Sequence, residues 1–328
     1  MTIYSPLLAL TSTPSCLIAS QCGLGEGPRW HSQEARLYWV DIPAKAMHRW
    51  DSRSGMQESR SFDAPVACFA FRKSGGMVLG MKDGCALLDD WDGVPRPFGG
   101  QILAGKPHHR MNDGRCDGAG RFWVGSVNEA KDAADAALYR LSVAGDLIEI
   151  EGGMMTCNGA GFSSGLPLDT SGGFAGLPHP QASAAGGNGS RFCHTDTPSH
   201  AVRIYDYDPV VGTLTNHRVL HQFTRGVGPG LGRPDGGSFD EEGCYWTALF
   251  DGWRVVRLSP TGEVLMDIPL PIQRPTMIAF GGADRRTAFV TSARTGLSEA
   301  ELATQPHAGD VFAFRVDVPG VEEFTFGG

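Results

Sequence analysis

Arg110-Met-Asn-Asp-Gly-Arg-Cys-Asp-Gly-Ala-Gly-Arg-Phe-Trp-Val-Gly-Ser126 is a sentence that the chain repeats. It opens on a guanidinium, an amide and a carboxylate. Asp117-Gly118-Ala119-Gly120 follows with turn chemistry, where glycine tolerates positive φ. Arg121-Phe-Trp-Val-Gly-Ser126 then reads as a buried strand of aromatic and β-branched residues.

Similar strand-like runs begin at residues 37 (Leu37-Tyr-Trp-Val-Asp41), 77, 191, 244 and 288, so that with 121 there are six. Starts at 37, 77, 121, 191, 244 and 288 are separated by 40, 44, 70, 53 and 44 residues. That is the period of a four-stranded propeller blade. A second apolar run follows each: 46–50, 85–88, 137–141, 202–207, 253–258 and 310–315. With 45 glycines and 21 prolines in 328 residues, many turns and short strands are expected rather than helices. The reading is an all-β chain, residues 1–328 forming one six-bladed β-propeller of four-stranded blades around a central channel. The long spacing holds about 26 extra residues rich in Gly, Ser and Pro, at about 164–189, which predicts a surface loop within one blade. A smaller addition at 296–304 suggests one helical turn.

A formal charge of −8 with scattered Lys and Arg disfavours nucleic acid or an anionic membrane as partner and favours a small ligand. Eight cysteines without CxxC spacing read as buried free thiols. No stretch has membrane-span length, and residues 1–22 lack the basic start of a secretory signal, so the expected address is cytoplasmic. A monomer or weak homodimer is expected.

Aligning the six copies on the residue five before Asp117 returns Glu26, Ala67, Asn112, Asn158, Asp235 and Thr276. In a propeller the innermost strands line the channel, so equivalent positions form a ring at one mouth. Glu26, Asn112, Asn158 and Asp235 should meet there. Two carboxylates and two amide oxygens without cysteine or paired histidine suit one divalent ion: Ca²⁺, Mg²⁺ or Mn²⁺, with Zn²⁺ and Fe²⁺ also admissible. Each Asx-Gly pair alone would be an ordinary turn. A turn has no need to recur in phase with oxygen donors.

Other signals carry less. Gly161-Phe-Ser-Ser-Gly165 fits a nucleophile elbow, but no helix pattern follows it. Side chains of His108 and His109 point apart on an extended segment and would not share an ion; solvent or loop contacts are expected for them.

At Gly23-Leu-Gly-Glu-Gly-Pro-Arg-Trp30, Tyr38-Trp-Val-Asp-Ile42, Arg110-Met-Asn-Asp-Gly114, Cys157-Asn-Gly159 and Pro234-Asp-Gly-Gly237 the chain resembles the senescence-marker-protein/gluconolactonase family, the regucalcin-like propellers that also include luciferin-regenerating enzymes. The likeness spans about residues 22 to 316. It implies opening of a sugar (aldono-1,4- or 1,5-) lactone to the aldonic acid, with Glu26, Asn158 and Asp235 as metal ligands and Arg110 and Asn112 contacting substrate oxygens. Glu129, in the loop after the third copy's strand, would touch the sugar. Asp235 is the expected general base, since a carboxylate on the metal also reaches bound water. One departure stands out: the family usually has Ser-Pro-Asp-Gly after the Asn-Gly strand, whereas Phe162-Ser163 runs straight into the insertion. Asn158 precedes it, so the site is expected to survive. Competing readings are a phosphotriesterase or fluorophosphatase-like propeller, and a non-catalytic metal-binding propeller.

Overall fold

A computed structural model of the chain describes residues 6–163 and 189–328. In it each of the six apolar runs becomes the second strand of a four-stranded antiparallel sheet, and each following run becomes the third. The first strand of every sheet is the stretch that precedes the turn: Gly25–His31, Val66–Phe71, His109–Cys116, Cys157–Phe162, Arg233–Phe239 and Pro275–Gly281. These six inner strands pack on one another around the axis, giving the expected six-bladed β-propeller.

The turn between first and second strands is held by its aspartate. In blade 3 Asp117 accepts from the Ala119 and Arg121 amides and from the Trp123 indole at 2.7 Å. In blade 5 Asp240 does the same with the Glu242 and Cys244 amides and the Trp246 indole at 2.8 Å. Each carboxylate, by accepting from the indole, places the tryptophan, which is 0% and 1% exposed respectively, between blades.

Closure of the ring is non-local. Ser15–Ile18 pairs antiparallel with Val311–Arg315 and so completes blade 6 from the other end of the chain. The last residues then cross the opposite face. Val321 N donates to Phe239 O, Phe326 N to Phe71 O and Gly327 N to Gly120 O, joining blades 5, 2 and 3. Phe326 is fully buried between blades 2 and 3. On this path Glu323 reaches Arg29 at 3.1 Å and Arg115 at 3.3 Å, three residues down the inner strands from Glu26 and Asn112. Arg29 also donates to Gly114 O, and Arg115 to Ser238 Oγ. The ion-paired arginines plug the channel roughly 10 Å below the upper ring. Phe326→Ala should therefore lower stability by about 3–5 kcal/mol, read as a drop in the urea midpoint; an unchanged midpoint would show that the tail is an ornament.

All eight cysteines are free, seven of them buried. The 296–304 addition is a short helix, Glu299–Thr304, with Ser298 and Glu301 forming a capping box. The expected 164–189 loop lies, but for Gly189, outside the described residues. Its flanks meet where Ser163 N donates to Arg191 O, at the far end of the blade 4 hairpin from Asn158. Among the described residues no helix is long and apolar enough to cross a membrane.

Candidate active site

The polar ring sits at irregularities in the strand pairing. Every inner strand has one residue more than its partner at this level: Gly27 and Pro28 between paired Glu26 and Arg29, Asn112 and Asp113 between Met111 and Gly114, Gly159 and Ala160 between Asn158 and Gly161, Asp235 and Gly236 between Pro234 and Gly237. Ala67 and Thr276 are the single extra residues in blades 2 and 6. A β-bulge breaks the alternation of faces and re-aims side chains, and here it does so six times at one height. Gly159 takes φ +65, and a Cβ there would lie 2.5 Å from Tyr245 Oη and 2.9 Å from Asp235 O. Only glycine lets blades 4 and 5 approach this closely.

The bulge in blade 3 turns two consecutive side chains onto blade 4. Asn112 Nδ2 donates to Cys157 O and to Asn158 Oδ1, each at 2.9 Å. Asp113 Oδ2 accepts from Ala160 N at 3.1 Å, and its other oxygen from Gly114 N. Asn158 in turn donates to Thr197 Oγ1 at 2.8 Å. Its carboxamide is thus oriented from both sides, and Oδ1 keeps one lone pair for a further partner. Arg110 donates through Nε to Glu129 at 2.7 Å and through one terminal nitrogen to Asn112 Oδ1 at 2.7 Å and Met111 O. Its second terminal nitrogen has no acceptor among the described residues. Thr276 donates to Gly25 O beside Glu26.

Glu26, Asp113 and Asp235 act on one another electrostatically. Burial, then the charge of Asp113, pushes Asp235 up to about 8. Burial, then the charges of Asp235 and Asp113, raises Glu26 well above the usual carboxylate range, with Arg110 opposing. The arrangement suits a bound cation: two carboxylates disfavoured as anions, a third anchored by backbone amides, and an oriented amide oxygen. Hard-oxygen donors of this kind fit a divalent ion.

The sequence-predicted residues Arg110, Asn112, Asn158 and Glu129 form one hydrogen-bonded row, and the charges of Asp235 and Asp113 act on Glu26. Two groups escaped the sequence reading. Asp113 follows Asn112 directly and would point away from it in a regular strand; only the bulge overturns that. Lys131 donates to Thr156 Oγ1 from the loop beyond Glu129. His109, on the inner strand, makes the expected loop contact, with Asp135 of the 129–135 loop at 2.9 Å.

The sequence of residues 24–165 and 181–294 matches the SMP-30/gluconolactonase/LRE-like region. The chain belongs to this family. It is 39% identical to a 6-deoxy-6-sulfogluconolactonase of Pseudomonas putida, over 97% of this chain and 100% of that protein. It is 31% identical to the regucalcin of Gallus gallus over 95% of this chain and 98% of that one. Among solved structures, a calcium-binding regucalcin of Agrobacterium tumefaciens superposes with a TM-score of 0.83 at 22% identity, covering 97% of this chain and 98% of that chain. A luciferin-regenerating enzyme gives 0.77 at 24% identity, over 94% and 97%. The two solved structures carry the fold and no more.

Proposed function

We propose that the chain is a divalent-metal-dependent lactonase that opens an aldono-1,4- or 1,5-lactone to the aldonic acid, in the cytoplasm, as a monomer or weak homodimer. The observation that carries this is the convergence of Glu26, Asp113 and Asp235 on one mouth, where burial and mutual charge raise the pKa of Glu26 and Asp235. The relative named for lactone hydrolysis supports the substrate class.

Glu26, Asn158 and Asp235 would hold the ion. When bound, it would polarise the ester carbonyl and acidify water. A neighbouring cation brings the Asp235 pKa back down, so that a carboxylate oxygen stands ready to take the proton of the attacking water. That proton passes to the ring oxygen when the acyl C–O bond breaks, and the product is an open hydroxy acid. Arg110, steadied by Glu129 and Asn112, would direct its unused terminal nitrogen at a substrate oxygen. Asn112 fixes the aim of Asn158 and presents its own edge to the mouth.

A panel of pentono- and hexonolactones and one phosphotriester, assayed with and without EDTA, tests the reading. Lactone turnover that disappears with EDTA and returns with a divalent ion is expected. Turnover of the phosphotriester alone would make the chain a phosphotriesterase, and inactivity toward the whole panel a non-catalytic propeller.

A further inference from the structure

One layer outside the oxygen ring lies a second ring, and it is cationic. Arg110, Arg233 and Arg274 each stand two positions before a ring residue, namely Asn112, Asp235 and Thr276. In blade 4 the equivalent position is Thr156, and its hydroxyl accepts from Lys131 Nζ. Blade 3 thus supplies two of the cations, Arg110 and the Lys131 that docks on blade 4, and blades 5 and 6 supply one each. Blades 1 and 2 bring Leu24 and Pro65 there.

The collar is only partly neutralised. Arg110 is paired with Glu129 at 2.7 Å. Arg233 and Arg274 share a single carboxylate, Asp251, at 2.6 and 2.8 Å, and both guanidinium carbons lie 5.2 Å from the Phe250 ring. Lys131 has no carboxylate within ion-pair distance among the described residues, and the buried Nε of Arg233 has no acceptor. Counting Asp196, which accepts from the Met155 and Thr156 amides beside Lys131, four cations stand against three carboxylates, leaving one positive charge in excess on one side of a mouth belonging to a chain of net charge −8. Lys131 is moreover held at φ +56, a left-handed conformation that costs a lysine energy. Partial burial, then the Arg110 charge, lower its pKa, with Asp235 and Asp196 opposing.

The collar stands roughly 7 Å outward of the ring, two residues along an extended strand. That separation matches the reach from the ester of a six-carbon aldonolactone to a substituent on its terminal carbon.

We propose that the substrate carries an anionic group (a sulfonate, phosphate or carboxylate) at the end of the sugar remote from the ester, and that Lys131, Arg233 and Arg274 bind it. This rests on the lactonase reading. It makes the three cations specificity-determining residues: Lys131 a point charge, Arg233 and Arg274 a planar pair fixed by Asp251 and Phe250. Recognition of this kind weakens as added salt screens the rim.

The test compares kcat/KM for a neutral hexonolactone with that for its counterparts bearing a terminal sulfonate, phosphate or carboxylate, at low and high salt. Wild-type protein should prefer at least one anionic lactone by tenfold or more, the three arms identifying which anion, and the preference should shrink with salt. In Lys131→Gly, whose backbone suits φ +56, the ratio of anionic to neutral kcat/KM should fall about tenfold through KM, and Lys131→Arg should restore most of it. Arg274→Met, checked for folding by its thermal midpoint, should lower the same ratio. Equal use of neutral and anionic lactones by the wild type, or a ratio unmoved in both Lys131→Gly and Arg274→Met, overturns the proposal while leaving the lactonase reading intact. No turnover of any lactone overturns both.

Discussion

Asp235→Asn is expected to lower kcat/KM on the preferred lactone by about 10³-fold and to weaken metal retention together with it. The change is isosteric and keeps one oxygen, so the blade should fold: Asp235 lies in a bulge whose neighbours Pro234 and Gly237 carry the ladder pairing. What disappears is the anionic oxygen that binds a cation and accepts a proton from water. Loss of a positioned general base alone is worth roughly 10²–10⁴ in rate, and a neutral amide is also a poorer ligand than a carboxylate. Steady-state kinetics with metal analysis of the same preparation reads both effects. A variant that kept one equivalent of metal and near-wild-type turnover would remove Asp235 from the mechanism.

Chelated protein should lose stability as pH rises from about 4 to about 8. In the unfolded chain Asp235 ionises near the ordinary aspartate value of 3.8, and in the folded chain near 8. Between these values the unfolded state has released a proton that the folded state still holds, so each rise in pH favours unfolding. Glu26 moves in the same direction, for burial and then repulsion by Asp235 and Asp113. At 1.36 kcal/mol per pKa unit, Asp235 would contribute a loss of about 5–6 kcal/mol across this window. A divalent ion reverses the sign of the local field and should flatten the curve. Urea unfolding of EDTA-treated protein at pH 5 and pH 8, with and without added divalent ion, measures the slope, and Asp235→Asn should remove most of it. Equal stability at the two pH values would mean that the carboxylates do not repel as the geometry implies.

These two predictions concern residues that the sequence could bring together for a definite reason. In each blade the second and third strands are buried and apolar, as in Arg36–Asp41 and Cys85–Leu88, and a run of such residues between turn-forming Asp and Gly is a local signal. Six such signals at nearly constant spacing leave a closed ring as the arrangement that buries them all. Outer strands were silent because they are half solvated: Gln57–Ser61 alternates between exposed and partly buried and reads as an ordinary polar segment. The ring closure by Ser15–Ile18 and the tail that carries Glu323 to Arg29 join residues some 300 positions apart in sequence, with no pattern of their own.

Recurrence of Glu26, Asn112, Asn158 and Asp235 at one phase was written in the chain, because a propeller converts phase along the sequence into height along an axis. Which neighbours share that height was decided only in three dimensions. One extra residue in each inner strand breaks the alternation of faces, so Asp113 joins Asn112 on blade 4 instead of pointing away. The cationic collar depends likewise on the loop that lays Lys131 against Thr156, and on Asp251 drawing Arg233 and Arg274 together. Strand periodicity and turn chemistry act within a few residues and can be read in order. Bulge register and rim charge depend on contacts between blades, which exist once the ring has closed.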